Sequence, residues 1–353
     1  MLNAIIENEF IGKLTEQFRR SPLQKNRAHE SDAEIVRPFR DSDRLLALTT
    51  DSIVEEIALG LYTDPHLIGW MTVMVNMSDL AAVGAQPLGI LVSEVLPGDF
   101  PKHSIARLQQ GIHDACDACG TFVLGGDTNF GGQLILTGCA LGAVNDRKHL
   151  SRIGCKPGDG LYSTGVLGVG NAFALSKFAG SAEAEIEYRP IARLSESQSL
   201  PGVASACMDT SDGVIATLDQ LMRLNNVGFE FEEDWELKLH SGSKALTSAQ
   251  GIPSWLLLAG QHGEFELLFT VAKECENELL RSAEKDHWHP VRLGNVTEKP
   301  EIRLPLYGQS VLLDTGKIRN TASQVNGNIE NYIAQLLMID NEIRKGASEH
   351  VSE

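Results

Sequence analysis

Residues 75–87 read VNMSDLAAVGAQP. They continue a mostly apolar run from Ile68, and the pattern predicts a helix over residues 66–83 that stops at the turn GAQP. Inside it stand Asn76, Ser78 and Asp79. Asn76 and Asp79 are three residues apart and share one helix face. An ionised carboxylate in a buried helix is costly unless something pairs with it. The rest of the chain has to bring that partner, and a metal–phosphate site would account for both residues.

Other aspartates share one local setting. Asp51 stands where the strand RLLALTTDSIVEE ends, Asp127 follows FVLGG, and Asp209 and Asp212 follow ASACM in DTSDG. Strand ends collect at one edge of an α+β layer, where ligands bind and glycines admit close backbone approach. Gathered like charges need a cation, and hard oxygen ligands suit Mg²⁺ bridging carboxylates and a nucleotide's phosphates. Phosphoryl transfer then requires little beyond positioning and charge neutralisation. Taken singly, each aspartate reads as a turn or N-cap residue before it reads as a ligand, Asp79 least so. Gly165, Gly168 and Gly170 in STGVLGVGNAF form a turn before a helix, which can cradle phosphate. Arg152 and Lys156, near KPGD, are candidate phosphate partners.

With 353 residues, the chain suits two domains, 1–150 and 151–325, followed by a helical or flexible tail, 326–353. Apolar residues at 42% allow each domain a real core. A net charge of −17 argues against a nucleic-acid surface. No run is long and apolar enough for a membrane span, and MLNAIIENEFIGKL lacks a basic start, so the expected location is cytoplasmic. CDAC (Cys116, Cys119) lies in a helical pattern with no second pair, and reads as helix packing before metal or redox use.

The first half reads as a helix over residues 3–20 (Ile5, Ile6, Phe10, Leu14 and Phe18 on one face), then a flexible loop over 21–43. Strand, helix, strand and helix follow, then the strand TFVLGGDTN running into a glycine turn, and the strand QLILTGCALGAV. The second half gives strands at GLYS, ASACM, GFEFEEDWEL, GEFELLFTVA and HPVRLGNVT. Helices are expected at VGNAFALSKF, after DTSDG, and at KECENELLRSAEKD, with a helical tail that frays in RKGASEHVSE. The class is α+β.

In order, TTDSIVE, VNMSDLAAVGAQP, LGGDTN, LSRIGCKPGDGLYSTG, MDTSDGV and GEFELLFT resemble the motifs of the thiamine-monophosphate kinases. These belong to the superfamily of aminoimidazole ribonucleotide synthetase. The resemblance implies a two-domain PurM-like α+β fold, with the first sheet pairing with its copy in a homodimer and ATP between domains and across the dimer. It implies that Asp32, Asp51, Asp79, Asp127 and Asp212 hold Mg²⁺ and the ATP phosphates, with Asp79, Asp127 and Asp212 catalytic. Asn76 and Ser78 belong to the same helix motif. Gly125, Gly126 and Thr128 match the nucleotide-side turn, Arg152 an arginine near the phosphates, and Ser211 and Gly213 flank Asp212. Partners would be ATP and a phosphorylated small-molecule acceptor, with no nucleic acid and no membrane.

The chain departs from the family pattern at Ser31, Ala58, Leu59, Met71 and Thr217, and at Gln261 to Glu266. These changes point to the acceptor side more than to ATP. Three functions are open: an ATP- and Mg²⁺-dependent phosphotransferase of this type, an ATP-dependent ligase or cyclase, or a non-catalytic nucleotide-binding subunit.

Overall fold

Four long strands and one short one build the first sheet. The structure, a computed structural model, describes residues 3–15, 21–27, 29–38, 43–146, 149–178, 186–325 and 327–350. Phe18, part of the loop expected at 21–43, and the last three residues of the tail lie outside these. In chain order come α1 (Ile6–Thr15), β1 (Glu34–Val36), β2 (Arg44–Ser52), α2 (Val54–Ala58) and α3 (Pro65–Ala82). Then follow β3 (Gln86–Pro97), α4 (Lys102–Ala118), β4 (Val123–Gly131) and β5 (Ile135–Asn145). The strand order is β1-β2-β5-β3-β4. All neighbours are antiparallel except β3 and β4, and that parallel pair needs the α4 crossover between them.

Pro65 opens α3, and the Asp64 carboxylate accepts the His66 N–H at 3.3 Å. The helix is buried almost all round because it packs on the sheet, on α4 and on the second half of the chain. Its approach to α4 is set by two glycines. A Cβ on Gly69 would lie 2.0 Å from the Leu108 carbonyl oxygen, and one on Gly111 would lie 2.0 Å from that of His66.

Two expectations for this half are corrected. The segment 21–43 contains β1, whose Ile35 is buried and donates its N–H to Asn26 Oδ1 at 2.9 Å. The glycines of GGDTN make no turn. Parallel pairing with β3 carries β4 straight through Gly125 and Gly126 to Gly131. Cys116 and Cys119 serve packing: burial pushes their thiols up to about 11 and about 12, and Cys119 Sγ lies 3.7 Å from Met74 Sδ.

The second half begins with β6 (Gly160–Ser163), α5 (Val169–Phe178), α6 (Leu194–Ser197), β7 (Ala204–Asp209) and α7 (Val214–Asn225). It continues through β8 (Gly228–Phe231), α8 (Ser241–Gln250), α9 (Leu256–Ala259), β9 (Leu267–Val271) and α10 (Glu276–Lys285). It closes with β10 (Val291–Thr297), β11 (Ile302–Leu306), β12 (Gln309–Leu312), α11 (Thr315–Val325) and α12 (Ile329–His350). The sheet order is β12-β11-β8-β10-β6-β9-β7. Central β6 and β9 are buried at every residue, as strands covered on both faces must be. The β11–β12 hairpin escapes the sequence reading. Its two-residue loop is Tyr307-Gly308, both at positive φ (53° and 77°), where Asn-Gly would be the usual signal.

The N-terminal helix lies against α11, with the Ile6 N–H on Asn320 Oδ1 at 3.0 Å and Asn320 Nδ2 on the Ala4 carbonyl at 2.9 Å. Among the described residues of its expected apolar face only Ile5, just before it, is buried; Ile6, Phe10 and Leu14 face solvent. At the other end α12 runs to His350 rather than fraying through RKGASEH, tied down by Trp255 Nε1 on Asp340 Oδ1 at 2.7 Å.

Candidate functional site

The polar residues of α3 join the two halves. Asn76 Nδ2 bonds the Thr72 carbonyl at 3.0 Å, and its Oδ1 accepts the Asp51 N–H at 3.1 Å, pinning the end of β2 to the helix. A Cβ at Gly138, beside Asp51 on β5, would lie 2.3 Å from Asn76 Nδ2. Ser78 Oγ donates to Asp209 Oδ2 at 2.6 Å, tying α3 to the end of β7. Asp79 accepts from Thr49 Oγ1 on β2.

Asp32, Asp79 and Asp209 point one oxygen each into a group whose atoms all lie within 4.8 Å of one another. Among the described residues no other such group of acidic, His or Cys side chains occurs. The three come from the segment before β1, from α3 and from the end of β7. Burial first, then the charges of Asp51, Asp209 and Asp32, holds the Asp79 carboxyl well above the usual carboxylate range. Burial and then Asp32 push Asp209 to about 7. Asp51 is raised by burial and by the charge of Asp32, against the lowering influence of Asp79 beside it. Desolvation by the surrounding protein, followed by the charge of Glu7, raises the Asp212 carboxyl above the usual carboxylate range, although the side chain itself stays exposed in the cavity. Arg152 Nη2 donates to Asp32 Oδ1 at 2.8 Å, while Asp32 Oδ2 is buried and without a hydrogen-bond partner among the described residues. An all-oxygen donor set, crowded like charges and one orphaned carboxylate oxygen fit a hard divalent cation.

Asp209 is the member that the motif pattern passed over in favour of Asp212. Its signal is position: it is the last residue of a strand, three residues before Asp212. Ser211 Oγ donates to its Oδ1 at 2.8 Å. Gly213 opens α7 at φ 85°, and a Cβ there would lie 2.2 Å from the Gly260 carbonyl oxygen. Asp212 lies beside the group and lines a cavity of about 560 Å³ bounded by α2, α5, α7, α9, α11 and α12.

Asp127, Gly125, Gly126 and Thr128 are not brought to this group within the chain. Asp51 pairs with Gly138, Gly138 with Val92 and Val92 with Gly126, so Gly126 lies three strand spacings, about 14 Å, from Asp51. Asp127, the next residue, turns to the opposite sheet face. It accepts from Asn129 Nδ2 at 2.6 Å on a fully exposed edge strand. The glycine turn before α5 is already filled: Glu264 Oε2 accepts the Gly168 N–H at 2.9 Å and the Gly170 N–H at 3.4 Å. Lys156 is exposed.

The departures from the family pattern have local causes. Thr217 Oγ1 donates to the Asp209 carbonyl at 2.9 Å, and Met71 is fully buried. Gly263 admits no side chain, since a Cβ would lie 1.5 Å from the Thr210 carbonyl oxygen.

Fold and site together define a class. Residues 30–144 match the family AIR synthase related protein, N-terminal domain. The AaThiL complex with AMPPCP and TMP shares the fold at a TM-score of 0.71, with 24% identity over 86% of this chain and 93% of that one. The thiamine-monophosphate kinase of Archaeoglobus fulgidus is 31% identical over 253 residues, 68% of this chain and 80% of that relative. That of Pyrococcus abyssi is 29% identical over 283 residues, 79% of this chain and 86% of the relative. The chain belongs to the thiamine-monophosphate kinase family.

Proposed function

We propose that this protein transfers the γ-phosphoryl group of ATP to a phosphate oxygen of thiamine monophosphate, giving ADP and thiamine diphosphate. The observation that carries the reading is the convergence of Asp32, Asp79 and Asp209 on one point. In this reading they hold Mg²⁺, with Asp51 and Asp212 beside them. The ion supplies charge neutralisation to the β- and γ-phosphates when bound. Arg152, bonded to Asp32, keeps that carboxylate in place and adds positive charge. Ser78 and Ser211 orient Asp209, and Asn76 orients the end of β2. An acceptor phosphate oxygen is already ionised, so no general base is required. Its bond to the γ-phosphorus forms as the bond from that phosphorus to the ADP oxygen breaks.

Asp127, Gly125, Gly126 and Thr128 enter the same reading through a homodimer. Leu91 and Leu124, 42% and 54% exposed, form an apolar patch on β3 and β4, on the same sheet face as Asp127. Patches of this kind mark interaction surfaces. A second sheet laid on it would bring Asp127 of one copy toward the nucleotide. Among the described residues no helix is long and apolar enough to cross a membrane.

The test mixes protein, Mg²⁺, ATP and thiamine monophosphate. ADP and thiamine diphosphate in equal amounts are expected. ADP with free phosphate and no diphosphate, or no ADP at all, overturns the reading.

A further inference from the structure

The cavity beside Asp212 holds one cationic side chain among its described lining residues, that of Arg319 on α11. One edge of its guanidinium is anchored: Nη1 donates to Asp219 Oδ2 at 2.9 Å and to Gln220 Oε1 at 3.4 Å. Asp219 does not depend on it, since Asp219 also accepts from Arg223 Nε at 2.7 Å and Thr315 Oγ1 at 2.6 Å. The other edge, Nη2, meets the Glu7 carboxylate at 3.5 Å, too long for a good hydrogen bond. Glu7 is itself half exposed, on a helix with no buried residue, and Asn8 beside it reaches Gln220 Oε1 at 3.2 Å. Across the cavity, Glu56 Oε2 is buried and has no hydrogen-bond partner among the described residues.

A guanidinium with one edge fixed and one edge loosely covered is arranged to take a bidentate anion. Resting on the phosphotransferase reading above, we propose that Arg319 receives the anionic group of the acceptor, and that Glu7 occupies this position in the free protein as an internal stand-in. The acceptor phosphate displaces the Glu7 carboxylate and comes to lie beside Asp212, while Glu56 faces the donor or cationic part of the molecule. The first helix is thereby a competitor for the site, held by a few polar bonds. Removing its charge strengthens acceptor binding, whereas a purely structural ion pair would leave binding unchanged.

Calorimetric titration of thiamine monophosphate into protein saturated with Mg²⁺ and AMPPCP reads this directly. Glu7→Gln is expected to lower the acceptor Kd about 3- to 5-fold, the worth of one half-exposed charge pair. Arg319→Gln is expected to raise it about 10- to 100-fold, the worth of a charge-assisted pair. AMPPCP affinity stays at the wild-type value in both variants. An unchanged acceptor Kd in Glu7→Gln overturns the proposal. Should Arg319→Gln fail to fold, Glu7→Gln decides alone. If wild-type protein binds AMPPCP but not thiamine monophosphate, the acceptor identity fails, and the same variants are titrated with inorganic phosphate. Binding of phosphate that weakens in Arg319→Gln and tightens in Glu7→Gln supports the anion site; binding indifferent to both, or none, overturns it.

Discussion

Asp79 illustrates what a single carboxylate contributes. It sits among Asp51, Asp209 and Asp32, where its charge opposes folding unless a cation is present. Asp79→Asn is therefore expected to abolish turnover while raising the melting temperature of metal-free protein by about 2–4 °C. Added Mg²⁺ stabilises the wild type and leaves the variant nearly unmoved; melting curves with and without the ion check both. Glu264 gives a pH prediction away from the metal group. Burial and then Glu266 push its carboxyl from 4.5 to about 8. Below pH 4.5 the group is protonated in both folded and unfolded chains. Between 4.5 and about 8 the unfolded chain releases the proton and the folded chain keeps it, so stability falls as pH rises through that window. Glu264→Gln should remove this part of the slope, read by urea denaturation at pH 5 and pH 8.5. A wild type and variant with parallel profiles would contradict it.

Helices here are placed by what lets them approach. The crossing of α3 and α4 depends on Gly69 and Gly111, each under a carbonyl of the other helix. Gly69→Ala should cost about 1–3 kcal/mol, since a methyl group must push two packed helices apart. Because α3 carries Asn76, Ser78 and Asp79, the same change should reduce turnover more than it reduces stability at the assay temperature. Chemical denaturation and steady-state rates, measured together, separate the two effects. The α3 span was legible from its apolar run and from the turn GAQP that ends it. The role of the glycine turn before α5 was not. A turn rich in glycine reads as a phosphate cradle until a distant Glu264 is seen to fill it.

For the whole molecule, the exposed strand β4 is where the proposed homodimer would pair. Its residues are exposed throughout, and Asp127 follows Gly126, which lies three strand spacings, about 14 Å, from Asp51. In the homodimer reading, Leu91→Asp with Leu124→Asp should give a monomer in sedimentation and weaken AMPPCP binding about tenfold or more. Asp127→Ala, in a protein that remains dimeric, should weaken it to a similar degree. A monomeric double variant with wild-type nucleotide affinity would confine the nucleotide site to one chain and remove Asp127 from it.

The α+β class, the long helices and strands, and the aspartates at strand ends could be read along the chain, because period, turn residues and motif order are local properties. The β11–β12 hairpin, and Asp209 in the place of Asp212 within the acidic trio, could not. A hairpin closed by Tyr307-Gly308 gains its stability from the sheet it joins, and a ligand set is decided by which side chains face one another after folding. The row from Asp51 to Gly126 was likewise hidden until the strands paired. Residues dozens of positions apart become neighbours through sheet register and helix packing, and these follow from the burial of the whole chain.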